Sequence, residues 1–127
     1  MPRTVLIVED VEQYASTLEI ALATIPGVEV ALARSGREAL DFLDSRHPAE
    51  LAALLTDLHM PVMDGFELIE QVRADPRYRY LPIVVISGDA DPATPDRLLR
   101  MGADAYFPKP YSPGAVRRKV EDLVNAH

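Results

Sequence analysis

Apolar, β-rich runs alternate with helix-period patterns along the whole chain. The strand candidates are Val5–Val8, Val28–Ala33, Leu51–Thr56, Ile83–Ser87 and Ala105–Phe107. After the first of them, Val11, Ala15, Leu18, Leu22 and Ile25 recur at spacings of four and three, which predicts a helix over 12–25. Ser35 and Glu38 form a capping-box pattern ahead of a second helix, and Asp64 is placed to cap a third. Thr94-Pro95 and Ser112-Pro113 each put a cap residue before a proline at the first helical position. Gly102 ends the fourth helix, and Val116, Val120 and Leu123 give the last one its buried face.

Five strands and five helices in strict alternation imply a parallel sheet covered on both sides. Strands buried on both faces should be nearly all apolar, as Val5–Val8 and Ile83–Ile86 are. Glu29 interrupts its run and marks an edge strand. With no internal repeat and no low-complexity linker, residues 1–127 are expected to form one domain.

Composition narrows the function. The chain has no cysteine, which removes zinc-thiolate and redox chemistry. Thirteen basic against twenty acidic residues, a net charge of −7, argue against direct nucleic-acid binding. No segment approaches the ~20 apolar residues of a membrane span. The expectation is a soluble, cytoplasmic protein with neither nucleic acid nor membrane as a direct partner.

In open α/β sheets ligands bind beyond the carboxyl ends of the strands, where the strand order reverses. Glu9 and Asp10 follow the first strand, Asp57 the third, Ser87-Gly88 the fourth and Lys109-Pro110 the fifth. Taken singly, each has a bland explanation. An aspartate after a strand is usually a turn former, a lysine beside proline is usually solvated, and a strand-end serine usually bonds local backbone. Their coincidence on one rim weighs against five separate accidents. Three carboxylates converging there would repel one another, and with one lysine their charges sum to −2, which a divalent cation cancels. Such oxygen ligands suit a hard ion.

The motifs Leu6-Ile7-Val8-Glu9-Asp10, Thr56-Asp57-Leu58-His59-Met60-Pro61-Val62-Met63-Asp64-Gly65 and Phe107-Pro108-Lys109-Pro110 resemble those of the receiver domains of two-component response regulators. The resemblance implies a flavodoxin-like, doubly wound (βα)5 fold with a five-stranded parallel sheet in the order 2-1-3-4-5, an order that comes with the family. It further implies that Asp57 accepts a phosphoryl group as an acyl phosphate. Asp10 resembles the direct metal ligand, with Glu9 acting through water and the backbone carbonyl of His59 as a further ligand for Mg²⁺ or Mn²⁺. Ser87 resembles the hydroxyl that bonds the phosphoryl group, Lys109 its cationic partner and Tyr106 the switch aromatic. The donor would be a histidine kinase or a histidine phosphotransfer protein. A downstream protein target would read the face built from Leu98 to Met101, Ala105 to Phe107 and the last helix. Turnover of a separate substrate is not expected; the domain would catalyse its own phosphorylation and its own slow dephosphorylation, with His59 and Asp89 flanking the path of the attacking water.

Other classes fit less well. A haloacid-dehalogenase-like phosphatase needs a second acid two residues after the nucleophile, where His59 stands. A flavodoxin-like nucleotide binder needs a hydroxyl- and glycine-rich loop after the first strand, where Glu9-Asp10-Val11-Glu12 would repel phosphate. An inactive interaction module would be suspected only if Asp10, Asp57, Ser87 or Lys109 were missing.

Overall fold

A computed structural model describes residues 2–126. Its strands β1 (Arg3–Val8), β2 (Val28–Ala33), β3 (Leu51–Asp57), β4 (Ile83–Ser87) and β5 (Ala105–Pro108) pair in parallel in the order β2-β1-β3-β4-β5. Five helices alternate with them: α1 (Glu12–Leu22), α2 (Gly36–Asp44), α3 (Gly65–Ala74), α4 (Thr94–Met101) and α5 (Pro113–Ala126). Every residue of β3 and β4 is buried, as central strands covered on both faces must be. β2 exposes Glu29 and lies at the sheet edge, as the interrupted run predicts.

Because strand side chains alternate between faces, each strand feeds two cores. Leu6, Val8, Leu54 and Val85 pack with Leu43 of α2, Leu68 and Val72 of α3 and Leu98 of α4. Val5, Ile7, Leu55 and Val84 pack on the other side with Leu18 and Leu22 of α1 and Val116 and Val120 of α5. Among the described residues no helix is long and apolar enough to cross a membrane.

Local signals set most helix starts. Ser35 Oγ accepts the Glu38 N–H at 3.1 Å, Asp64 Oδ1 the Glu67 N–H at 2.9 Å, and Ser112 Oγ the Ala115 N–H at 3.2 Å. Gly102 takes the left-handed conformation, φ +103°, that closes α4.

Four expectations need correction. α1 stops at Leu22, short of 25; Ile25 is buried from a turn, because the residue before Pro26 is driven out of the helical region. Val11 caps α1 from an exposed position and takes no part in the core. Thr94 is the first helical residue of α4, with Ala93 at the cap, since its hydroxyl is held by Asp89 Oδ2 at 3.1 Å. In α5 the deep stripe runs Val116, Val120, Val124, with Leu123 only partly buried.

Two short 3₁₀ turns, Pro48–Glu50 and Pro76–Tyr78, have no counterpart in the periodicity. Each starts on proline behind a side-chain cap, His47 in the first and Asp75 in the second. The second delivers Tyr78 into the core, its hydroxyl donating to Leu43 O at 2.6 Å.

Candidate functional site

Asp57 is the last residue of β3 and Glu9 follows β1, the two adjacent strands between which the connections change direction. Both side chains are nearly buried. The backbone N–H of Lys109 donates to Ser87 O at 2.8 Å, which seats the start of the β5–α5 loop against the end of β4. From there the side chain crosses β4, and its Nζ stands 2.7 Å from Asp57 Oδ2 and 3.9 Å from Glu9 Oε1. The other oxygen of Asp57, Oδ1, accepts the His59 N–H at 3.2 Å.

Two buried carboxylates thus share one ammonium. The carboxyl of Glu9 is pushed from 4.5 up to about 7. Burial is the main cause and the charge of Asp57 adds to it; the Val11 N–H on Oε2 at 3.2 Å and the charge of Lys109 offset only part. Lys109 shifts upward, because the bond and charge of Asp57, with help from Glu9, outweigh the burial that opposes it.

The loop after β3 brings its backbone very close to α3. Gly65 N–H donates to Leu58 O at 2.8 Å, and a Cβ on Gly65 would lie 2.5 Å from Asp57 O. Only glycine fits there without displacing the strand end that presents Asp57. Between them, Val62 adopts φ +69° with a fully exposed side chain, an unfavourable conformation for a β-branched residue.

Ser87 is fully buried at the end of β4, and its Oγ accepts the Asp89 N–H at 2.9 Å. Asp89 in turn accepts from the Asp91 N–H at 2.9 Å and from Thr94 Oγ1, and these bonds with the nearby His59 and Arg97 charges hold its carboxyl low. The His59 imidazole, largely in solvent, brings Nε2 to 3.7 Å from Asp89 Oδ2 across the mouth of the site. Tyr106 is half-buried on β5 and packs on the α2–α4 side of the sheet. Burial raises its hydroxyl, and the charge of Asp89 adds to that.

Of the residues singled out in the sequence, Glu9, Asp57 and Lys109 form one cluster, with His59 joined to it through its backbone. Ser87 borders the cluster, its hydroxyl turned to Asp89. Asp10 is exposed at the mouth beside Glu9 and helps to raise it. Among the described residues no group of three or more His, Cys, Asp or Glu side chains is gathered closely enough to hold a metal ion. The donors that do face the rim are oxygens, which is the set a hard divalent cation prefers. Such an ion needs one or two carboxylates and keeps several waters.

Two neighbours of the cluster were not legible from the motifs. Thr94 ties Asp89 to the start of α4, and the ring of Tyr14 lies 4.6 Å from Lys109 Nζ. An aromatic residue in the first turn of a helix that starts at the rim is the signal that would have found Tyr14.

The profile of the response regulator receiver domain family matches residues 5–121. The chain belongs to that family. This receiver domain is 32% identical over 122 residues to the chemotaxis protein CheY1 of Helicobacter pylori, covering 96% of this chain and 97% of that one. It is 30% identical over 119 residues to a chemotaxis protein CheY homolog of Campylobacter jejuni, covering 94% and 90%. The solved structure of the chemotaxis response regulator CheY4 of Vibrio cholerae superposes with a TM-score of 0.84 at 27% identity, over 97% of this chain and 99% of that one. A receiver domain is a phosphoacceptor switch in two-component signalling, and the fold and strand order expected for one are those found.

Proposed function

We propose that this receiver domain takes a phosphoryl group onto the carboxylate of Asp57 from a phosphohistidine, carried by a histidine kinase or a histidine phosphotransfer protein, in the cytoplasm. The observation that carries the reading is the 2.7 Å pair between Lys109 Nζ and the nearly buried Asp57. A buried carboxylate at a strand end, held by a lysine from two strands away, is both a nucleophile and the floor of an anion site.

In the transfer a carboxylate oxygen of Asp57 bonds to phosphorus while the phosphorus–nitrogen bond breaks, its electron pair leaving with the imidazole. Lys109 pairs with the incoming phosphoryl oxygens, and the Ser87 hydroxyl donates to one of them. Positioning and charge neutralisation of this kind are most of what phosphoryl transfer needs. Mg²⁺ or Mn²⁺ would be held by Asp57, Asp10, the His59 carbonyl and, through water, Glu9. The ion supplies further neutralisation of the phosphoryl oxygens when bound. The oxygen-only donor set and the two nearly buried carboxylates sharing one lysine support it.

The phosphorylated side chain carries about −2 charge and strong acceptor oxygens. Ser87 then divides its hydroxyl between that group and the Asp89 N–H, and the Gly88–Asp91 loop and Tyr106 follow. A downstream protein reads the changed surface of α4, β5 and α5. Hydrolysis of the acyl phosphate is slow and is the domain's own.

Incubation with a small phosphodonor and Mg²⁺ should add the mass of one phosphoryl group. The addition should disappear with a chelator and in Asp57→Asn. Undiminished labelling of Asp57→Asn would overturn the assignment.

A further inference from the structure

The ammonium of Lys109 faces carboxylates on one side and an aromatic ring on another. Its Nζ lies 4.6 Å from the centroid of Tyr14, within range of a cation–π contact. Among the described residues its one hydrogen-bond partner is Asp57 Oδ2, because Glu9 Oε1 at 3.9 Å is too distant for a bond. A lysine has three donors on a flexible four-carbon stem, so one bond leaves it free to swing. A cavity of about 450 Å³, walled in part by Tyr14, Pro110 and Tyr111, opens beside the stem.

Tyr14 is rooted where it can prevent that swing. It is the third residue of α1, and its N–H donates to Val11 O at 3.1 Å, just past the Glu9 and Asp10 rim. The first turn of α1 follows directly on the acidic end of β1, and the ring reaches Lys109 from it. The ring is also the right chemistry for the place. A third carboxylate against Lys109 would compete with Asp57 and further raise the repulsion already felt by Glu9. An aromatic face attracts the cation without adding a formal charge. It imposes no hydrogen-bond geometry, so the ammonium can move from an Asp57 oxygen to a phosphoryl oxygen over the same ring face without breaking a second hydrogen bond.

We propose that Tyr14 is a positioning residue for phosphoryl transfer, its ring face holding the Lys109 ammonium over the rim, with its hydroxyl playing no part. The proposal rests on the reading of Asp57 as the acceptor.

The test compares Tyr14→Leu and Tyr14→Phe with the wild type. A small phosphodonor is used, so that docking of a protein donor does not enter. The initial labelling rate should fall by about three- to tenfold in Tyr14→Leu and stay within about twofold of wild type in Tyr14→Phe. A second readout looks at the lysine itself. The chain has only two lysines, Lys109 and Lys119 on α5, so lysine labelled with ¹³C at the ε-carbon gives two methylene signals, and Lys119 is the internal reference. Ring-current shielding should move the Lys109 ε-methylene upfield in wild type and Tyr14→Phe. In Tyr14→Leu it should return towards the Lys119 position.

A Tyr14→Leu protein that labels at the wild-type rate overturns the proposal, and so does a Lys109 signal that does not move. Equal slowing in Tyr14→Phe would shift the effect to the hydroxyl and overturn it as well. Asp57→Asn is run alongside. If that variant labels, the reading of the acceptor fails, while the Lys109 shift still decides whether the ring holds the lysine.

Discussion

At the end of the sheet where the strands begin, Arg73 donates through Nε and Nη2 to Gly102 O and through Nη1 to Tyr78 O. It also pairs with Asp104 at 3.3 Å, and Asp104 accepts the Ile83 N–H at 2.8 Å. One guanidinium thus joins α3, the Pro76–Tyr78 turn and the approaches to β4 and β5. At the end where the strands stop, two nearly buried carboxylates divide one lysine, and Glu9 is left with a raised pKa. The first end gathers several partners around one half-buried cation, while the second makes two nearly buried carboxylates share one. Whatever an intact pair contributes, removing one partner of a charge shielded from water leaves the other uncompensated and costs stability. The two rims therefore differ in kind: one (the closed rim) ties three elements together, and the other (the open rim) leaves two carboxylates competing for one cation.

The largest effect expected from breaking this contrast is at the closed rim. Arg73→Ala strips two backbone carbonyls and Asp104 of their partner and should destabilise the domain by about 2–4 kcal/mol. Urea unfolding measures the loss, and labelling of the folded variant by a small phosphodonor should be unchanged. A loss below about 1 kcal/mol would remove the distinction between the rims.

The open rim should respond in the opposite sense. In metal-free protein the folded state holds a proton on Glu9 more tightly than the unfolded state does, with a pKa of about 7 against 4.5. Its contribution is therefore harmless below pH 4.5 and becomes increasingly destabilising as pH rises through 7. Glu9→Gln with chelator present should be more stable than wild type by about 1–2 kcal/mol at pH 8, and the gap should close towards pH 4.5. Asp75 runs the other way. Bonds from Arg77 hold its carboxyl low, so its stabilisation is present above its ordinary pKa of 3.8 and is lost as pH falls through the lower folded value. Unfolding midpoints across pH separate the two, and a Glu9→Gln gap independent of pH would contradict the account of Glu9.

The smallest effect concerns the loop over the open rim. Val62→Gly relieves a positive φ at a fully exposed side chain and should stabilise by about 1 kcal/mol, net of the glycine's greater unfolded freedom. A destabilisation on thermal unfolding would mean that the valine makes a contact that its exposure conceals.

What could be read in advance divides along the same physical line. The strands were legible because burial on two faces forces unbroken apolar runs, and Leu51 to Thr56 is buried throughout as written. The caps at Ser35, Asp64 and Ser112 were legible because each bond spans three residues. The end of α1 was misread because Ile25 keeps the helical spacing while being buried from a turn. Thr94 was misread because its hydroxyl answers to a loop five residues away. At the site, Glu9, Asp57 and Lys109 could be located because strand ends locate them. The position of Asp10 at the mouth, and the ring of Tyr14 against Lys109, depend on how α1 packs beside the β5–α5 loop. The first-turn position of Tyr14 places it near the rim, but no spacing along the chain encodes its contact with Lys109.

The strand order also bears on how the domain assembles. Asp57 and Lys109 are 52 positions apart, and β5, which carries the lysine to the rim, is hydrogen-bonded to β4 alone. Parallel pairing of this kind is non-local, so each strand added must first close a long loop. No contiguous stretch shorter than 9–109 contains Glu9, Asp57 and Lys109 together. A partly folded chain in which β5 has not docked therefore presents the aspartate without its cation. On the proposed reading of Asp57 and Lys109, competence to receive a phosphoryl group would come only with the finished sheet.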